Sequence, residues 1–445
     1  MTQHSFIFRR RRLGWTRQLA LAALLPLAAC SKDILEVTDP DIINPGDVAS
    51  PAGAAGLYAG ALARLDEATS GGESFFLLGG LLTDEWRSGD TFVQRNETDK
   101  RDVIESNSIV NTANRDLHRA RLGARLAIDA LREFDAGNRV WRIGEMYFAT
   151  GFAENMLAEH FCSGIPLSTV EGGNLVYGTP LTTTEVFDRA VAHFDSALAE
   201  IGSATDAATT NVRRAASIGK GRALLNLGKF AEAAAAVAAV PTTYQYLVEH
   251  SQTASSNQLW ALNTSAKRYT VSPGEGTNGI PFATAKDPRV PVGPRVTRGS
   301  FDATTDFYPQ LKWGQESPVA IASGTEARLI EAEAAYKAGN YAGALVILNK
   351  LRSDANIGLV ALAPAATPAA QENQIFTERA YWLFSTGHRL GDLRRLVRQY
   401  GRSPESVFPT GTFFKGGEYG ADVNFPVTQA EENNPEFTGC INRSA

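Results

Sequence analysis

Six histidines, three cysteines and several neighbouring carboxylates are the residues of this chain whose types could carry chemistry. His4, His118, His160, His193, His250 and His388 never fall in H-E-x-x-H, the spacing that sets two imidazoles on one helix face around zinc. C-x-x-C, G-x-x-x-x-G-K-[ST] and G-x-S-x-G are also missing, so no redox pair, phosphate loop or nucleophile elbow announces itself. Gly274-Glu275-Gly276-Thr277-Asn278-Gly279 matches G-x-G-x-x-G by letters. A dinucleotide site needs a helix to begin there, so that its free amides meet the pyrophosphate. Ile280-Pro281 follows instead, within a Pro-rich run, and a turn is expected. Asp84-Glu85 and Asp39/Asp41 are carboxylate pairs. Acid–base work would require them to be held against a substrate, and they read as solvated charges or a cation site on a loop. The expectation is therefore no catalytic residue, no metal and no cofactor.

The cysteines point elsewhere. Arg9 to Arg12 and Arg17 precede a short apolar run, Leu19 to Leu27, which ends in Leu27-Ala28-Ala29-Cys30. A positive segment, an apolar segment and small residues before a break are the marks of a secretory signal over 1–29. The run is about half the ~20 residues that a spanning helix needs. A Cys directly after Leu-Ala-Ala resembles the bacterial lipobox, in which that Cys becomes the lipid-bearing first residue. Cys162 and Cys440 remain, and in an oxidising compartment they form either a disulfide, the favoured reading, or two buried free thiols.

The 445 residues, 44% of them hydrophobic, suffice for a large core. Loss of residues 1–29 moves the formal charge from −5 to −10, since five arginines and no acids leave with them. Such a surface argues against nucleic acid as a partner.

The elements that must position any site are helical. A linker over 30–53 contains Pro40, Pro45 and Pro51, which oppose helix, and Ala54 to Leu65 then reads as a first helix. Residues 69–100 read as irregular and hold Phe75, Phe76, Trp86 and Phe92. Helical periodicity covers Asp116 to Phe134 and a longer stretch through Met146, Ala149, Ala153, Leu157 and Phe161, stopped by Gly164-Ile165-Pro166. Thr182 and Glu185 have the spacing of a capping box, followed by one apolar face, Phe187, Val191, Phe194, Leu198 and Ile201. Three later segments share a register: Gly221/Gly228/Phe230/Ala233, Ala332/Gly339/Tyr341/Ala344 and Ala380/Gly387/Arg389/Asp392. A central Gly that closes one helix, flanked by small residues that let two axes approach, resembles the tetratricopeptide helix pair. Repeat-like pairs are expected over about 139–201, 211–240, 324–354 and 372–399, with an N-terminal part over 54–138. A Pro- and aromatic-rich insertion over 241–323 reads as ordered and functional, because disordered segments are poor in aromatics. A loop region over 400–445 closes a single domain, 54–445.

The order of motifs in the C-terminal third resembles the SusD/RagB family of outer-membrane nutrient-binding lipoproteins. Glu331-Ala332-Glu333-Ala334, Gly339-Asn340-Tyr341 and Leu348-Asn349-Lys350-Leu351-Arg352 are similar to one family segment. Phe376-Thr377-Glu378-Arg379, Gly387-His388-Arg389 and Asp392-Leu393-Arg394-Arg395 are similar to a second, with Ala380-Tyr381-Trp382-Leu383 and Leu390-Gly391 departing from it. Asn424-Phe425-Pro426-Val427 with Asn434-Pro435, Gly164-Ile165-Pro166-Leu167, Asp287-Pro288-Arg289 and Cys30 fit in family order. The resemblance implies a mainly α fold of about four tetratricopeptide-like units with long irregular ligand-facing insertions. It implies a lipid anchor at Cys30 in the outer membrane, exposed at the cell surface, with Ser31-Lys32-Asp33 as an export signal. It further implies capture of glycan or peptide without catalysis, for delivery to a SusC-like TonB-dependent barrel. Sugar capture needs aromatic faces and polar partners, and the candidates are Trp86, Trp260, Tyr308 and Trp313 with Arg87 and Arg95. A lipid-anchored tetratricopeptide scaffold for envelope assembly is the competing reading. Asp392 and the arginines after it are expected to close the last helix pair through ion pairs.

Overall fold

Helices start in this chain where a short polar side chain can take the first free amides. Ser50 caps Pro51–Glu67 (α1) and Ser74 caps Phe75–Leu82 (α2). Asn107 caps Ser108–Phe134 (α4), and Asp206 caps Ala207–Asn226 (α7). Thr182 and Glu185 form a reciprocal capping box at the start of Thr183–Ile201 (α6). The computed structural model describes residues 49–444 apart from 136, 138, 172 and 173, so the signal segment, Cys30, Ser31-Lys32-Asp33, Asp39/Asp41 and most of the linker lie outside the described residues.

The described chain is mainly helical. Val93–Asp99 (α3) and Val140–His160 (α5) precede α6, and Phe230–Val237 (α8) and the short Gln258–Trp260 (α9) follow α7. The C-terminal third holds Gly324–Lys337 (α10), Tyr341–Asp354 (α11), Pro368–Trp382 (α12), Arg389–Tyr400 (α13) and Pro404–Val407 (α14). α5 packs on α4 and α6, α7 on α6 and α8, and α10 on α8 and α11.

Two local expectations change. Pro51 does not oppose helix: it occupies the first turn of α1, where no amide partner is lost and its fixed φ suits the helix. Residues 69–100 are not irregular throughout. Every residue of α2 is buried, and a helix buried on all sides has no polar face to give it a period.

The three register glycines do what their spacing requires. Gly228, Gly339 and Gly387 have φ of +73°, +80° and +73°, each closing a helix before its partner begins. Tyr341 packs edge-on against Tyr336 across the α10–α11 pair, with ring centroids 6.3 Å apart. In the last pair Arg389 replaces the aromatic residue and reaches Asp84 at 2.6 and 2.7 Å. Surroundings separate otherwise equivalent glycines. A Cβ at Gly339 would meet nothing within 4 Å, whereas one at Gly387 would lie 2.8 Å from Met156 Cε and 2.9 Å from Phe76 Cδ1. Gly339→Ala should therefore cost about 1 kcal/mol in urea unfolding and Gly387→Ala about 2–3 kcal/mol, strain and overpacking combined.

The buried interior between these pairs carries charge. Asp392 accepts from Arg379 Nε and Nη2 at 2.8 and 2.9 Å and from Arg395 at 2.8 Å. Arg395 also meets Glu333 at 2.8 Å, and Arg222 Nε meets Glu159 at 2.8 Å. Arg394 donates to the carbonyls of Ala158 and Glu159 at 2.9 and 2.6 Å, satisfying the open C-terminal end of α5. Asp392-Leu393-Arg394-Arg395 is thus a structural clamp joining α5, α10, α12 and α13.

Cys162 and Cys440 form a disulfide across 278 residues of sequence, beside backbone bonds Ser163 N to Asn442 O (3.1 Å) and Ile441 N to Ser163 O (2.8 Å). Cys440→Ser is expected to lower unfolding stability by about 2–4 kcal/mol by releasing a long closed loop. The same loss should follow reduction of the wild type.

After the short strands Ile165–Pro166 (β2), Thr169–Glu171 (β3), Asn174–Val176 (β4) and Pro180–Leu181 (β5), the insertion is closed at its neck by Gln245–Val248 (β6) against Val319–Ser323 (β8), antiparallel. Tyr269–Val271 (β7) pairs with Trp86–Ser88 (β1), tying the insertion to the N-terminal part. Buried amides stand in for regular structure between these strands. Asn263 donates to Tyr269 O (2.9 Å) and accepts from Gln310 N (2.9 Å), while Gln310 Oε1 accepts from Lys312 N and Trp313 N at 2.8 and 2.9 Å.

Candidate functional site

Strand alternation decides which of the β1 side chains can meet a ligand. Trp86 and Ser88 point into the core and Arg87 points outward. Trp86 is 0% exposed, and its indole N–H is spent on Ser385 Oγ at 2.8 Å. It is a core residue, and its proposed role as a sugar platform is corrected accordingly. Arg95 also leaves the candidate list: Glu73 takes its Nε and Nη2 at 2.7 and 2.5 Å, and Asp90 takes Nη1 at 2.5 Å. Its donors are used in holding α3 against the preceding loop.

Arg87 lies in an open basin of about 760 Å³. Its Nε donates to Glu275 at 2.7 Å, its Nη2 donates to Gly274 O at 2.9 Å, and its guanidinium lies 4.3 Å from the Phe414 ring centroid. Glu275 also accepts from Ser272 Oγ (2.8 Å) and Tyr419 OH (2.5 Å). The Gly274–Gly279 segment is therefore a turn pinned from inside, with no helix starting at its end. Bridges between Val292 and Gln310 and between Val296 and Phe307 make an open hairpin of the insertion. Its tip supplies Thr297, Arg298, Asp302 and Thr304 to the basin, and the far loop supplies Phe414 and Lys415. Lys415 Nζ braces three segments, donating to Asp90 O (2.7 Å), Asn96 Oδ1 (2.8 Å) and Asp302 Oδ2 (2.9 Å).

Phe92 and Phe301, each next in sequence to a basin residue, are 44% and 50% exposed. The Arg268 guanidinium covers Phe301 at 4.1 Å. Water-exposed aromatic rings beside threonine hydroxyls, a lysine and arginines are suited to a ligand with flat apolar faces and many hydroxyls. The carboxylates here are already committed. Burial pushes Asp90 and Asp302 upward, but Arg268 and Arg95 on Asp90, and Lys415 with the Thr305 and Thr304 amides on Asp302, outweigh it and hold both below the usual carboxylate range. Neither can hold a proton for general acid catalysis near neutrality.

The remaining candidates are dispersed. Trp313, 8% exposed, stacks on Phe384 and lines a second cavity that shares no lining residue with the basin. Trp260 ends the short helix Gln258–Trp260 and lines neither cavity. Half-buried Tyr308 uses its backbone to bond Val271 N at 3.1 Å and Thr270 Oγ1 at 2.6 Å and packs on the core. Only Arg87 of the six reaches the basin. Phe414 and Lys415 were not anticipated; the signal available was two adjacent aromatics before Gly416-Gly417 in an otherwise polar loop.

Asp84 and Glu85, expected to be solvated or to hold a cation, are both about 1% exposed. Asp84 is the anion for Arg389. Glu85 accepts from Ser385 N at 2.9 Å, and burial first, then its neighbour Asp84, push its carboxyl up to about 8. A raised folded pKa contributes stability that is complete below the unfolded value near 4.5 and is lost as pH rises through about 8. Wild-type stability should thus fall from pH 5 to 9 by roughly 1–3 kcal/mol more than that of Glu85→Gln, as measured by denaturation at each pH. No group of three or more potential metal ligands occurs among the described residues.

A helix-pair scaffold with a basin built from loops is the class that fold and site define. Residues 294–437 match the sequence model of the SusD family. Solved structures with the same fold include the surface glycan-binding protein A from Bacteroides uniformis, at 13% identity over 88% of this chain and 99% of that one, with TM-score 0.64. A SusD-like carbohydrate binding protein from Bacteroides vulgatus shows 14% identity, 87% and 97% coverage and TM-score 0.62. A SusD-like protein from Bacteroides fragilis shows 12% identity, 90% and 98% coverage and TM-score 0.64. No curated protein matches the chain. Over residues 294–437 the chain thus matches the SusD family's sequence model, and over most of its length it shares the fold of SusD-like proteins.

Proposed function

We propose that the protein captures oligosaccharide, with peptide as the other candidate class, in the basin of Arg87, Phe414 and Lys415, and binds it without chemical conversion. One observation carries this reading: aromatic rings exposed to water stand beside hydroxyl and cationic groups on loops braced by buried ion pairs. The relatives described as glycan-binding and carbohydrate-binding have the same fold. Cleavage of a glycosidic bond would need a carboxylic acid that keeps its proton; the basin's Asp90 and Asp302 are held ionised by their partners, and its third carboxylate, Asp306, is paired with Arg295 at 2.6 Å.

The lipid at Cys30 tethers this capture domain to the outer membrane, facing outward, and the ligand passes to a SusC-like TonB-dependent barrel. No helix among the described residues is long and apolar enough to cross a membrane, which accords with a lipid tether. The experiment is a glycan and peptide array probed with the purified protein, followed by analysis of the bound ligands for cleavage. Binding of one glycan class without turnover is expected. Binding of none, with envelope proteins retained in its place, would favour the assembly scaffold.

A further inference from the structure

A second cavity, of about 500 Å³, lies where the C-terminal end of α12 meets the β6–β8 neck and the insertion. Its volume is within the ~300–1,000 Å³ of small-molecule sites. Trp313 and Trp382 supply aromatic wall, and Lys312, His388 and Glu326 supply charge. Arg289 also lines it, but Asp287 (2.9 and 2.7 Å) and Glu378 (2.7 Å) use its donors.

Two features remain unsatisfied. The Lys312 ammonium lies 4.7 Å from the Trp313 ring centroid and makes no ion pair among the described residues. Burial, tempered by the distant charge of Glu85, draws Lys312 down to about 8, so it is still mainly cationic at pH 7.

The second feature is a pair of buried groups that do not complete each other. His388 is 4% exposed and Glu326 2%. Thr386 Oγ1 gives its proton to Leu383 O at 2.6 Å, so it must accept from His388 Nδ1 at 2.9 Å. On its other side His388 Nε2 faces Glu326 Oε1, 3.0 Å away. The two atoms are not aligned for a hydrogen bond, and both lack a partner. A buried acceptor left without a donor is destabilising, and a ligand that brings a donor relieves it.

We infer that this cavity binds a small organic carboxylate that also carries a hydrogen-bond donor, with its carboxylate on Lys312, its apolar face on Trp313 and its donor on Glu326. A uronic acid residue and an N-acylated amino acid both have this chemistry. The site is separate from the Arg87–Phe414 basin and does not depend on what that basin binds.

Calorimetry with two matched pairs tests it: methyl β-glucuronide against methyl β-glucoside, and N-acetyltryptophan against N-acetyltryptophanamide. The carboxylate of at least one pair should bind at least tenfold more tightly than its neutral partner, and the pair that discriminates identifies the source of the ligand. Lys312→Met should abolish that difference, Lys312→Arg should retain it, and Phe414→Ala should leave it unchanged. Equal affinities within both pairs, no binding in any arm, or discrimination that survives Lys312→Met would overturn the assignment.

Discussion

Asp392→Ala is expected to destabilise the protein by about 3–5 kcal/mol, because it removes the hydrogen-bonded anion of buried Arg379 and one of the two anions of buried Arg395. Arg379 and Arg395 both donate to this carboxylate, and all three side chains are about 1–2% exposed. Glu333 lies 3.6 Å from Arg379 Nε, beyond hydrogen-bond reach, and already serves Arg395 and the Tyr400 hydroxyl. Burial would raise the Asp392 carboxyl, but Arg379 and then Arg395 overcome it and hold the group well below the usual range. A lowered folded pKa contributes stability present above the unfolded value and lost as pH falls through the folded one. Wild type should therefore weaken steadily below about pH 4, while Asp392→Ala, already weakened, should lack this component of the slope. Urea unfolding at pH 7 and pH 3 reads both effects.

Phe414→Ala is expected to weaken binding of the captured glycan about tenfold to thirtyfold, or ~1.4–2 kcal/mol, with unfolding stability nearly unchanged. The ring is half-buried at the basin wall, so its removal opens no sealed core. Arg87→Ala is the less discriminating test, since it leaves Glu275, which is 0% exposed, without its cation. Trp86→Ala should reduce stability by the cost of emptying a large core site, about 3–5 kcal/mol. Any effect of Trp86→Ala on affinity would follow from that loss and not from a lost contact.

The helix pairs were legible because glycine at a left-handed position and small residues at fixed offsets are local requirements of closing and packing two helices. The capping box at Thr182 was legible for the same reason. Core and site charge were not. A carboxylate bound for the interior has the same letter as a solvated one, and Asp84 finds its partner, Arg389, 305 residues away. Trp86 and Arg87 are adjacent in sequence yet belong to the core and the basin, because a strand of three residues is too short to reveal its alternation. The basin is assembled from the β1 region, the insertion hairpin and the loop after Val407, so its membership is a property of the fold.

A crystal structure of the protein with an oligosaccharide selected on the array tests the central claim most directly. The account predicts a sugar ring in the basin, against Phe414 and within hydrogen-bond distance of basin polar groups such as Arg298, Thr297 or Thr304. Sugar bound only elsewhere on the molecule, with the basin empty at saturating ligand, would contradict it.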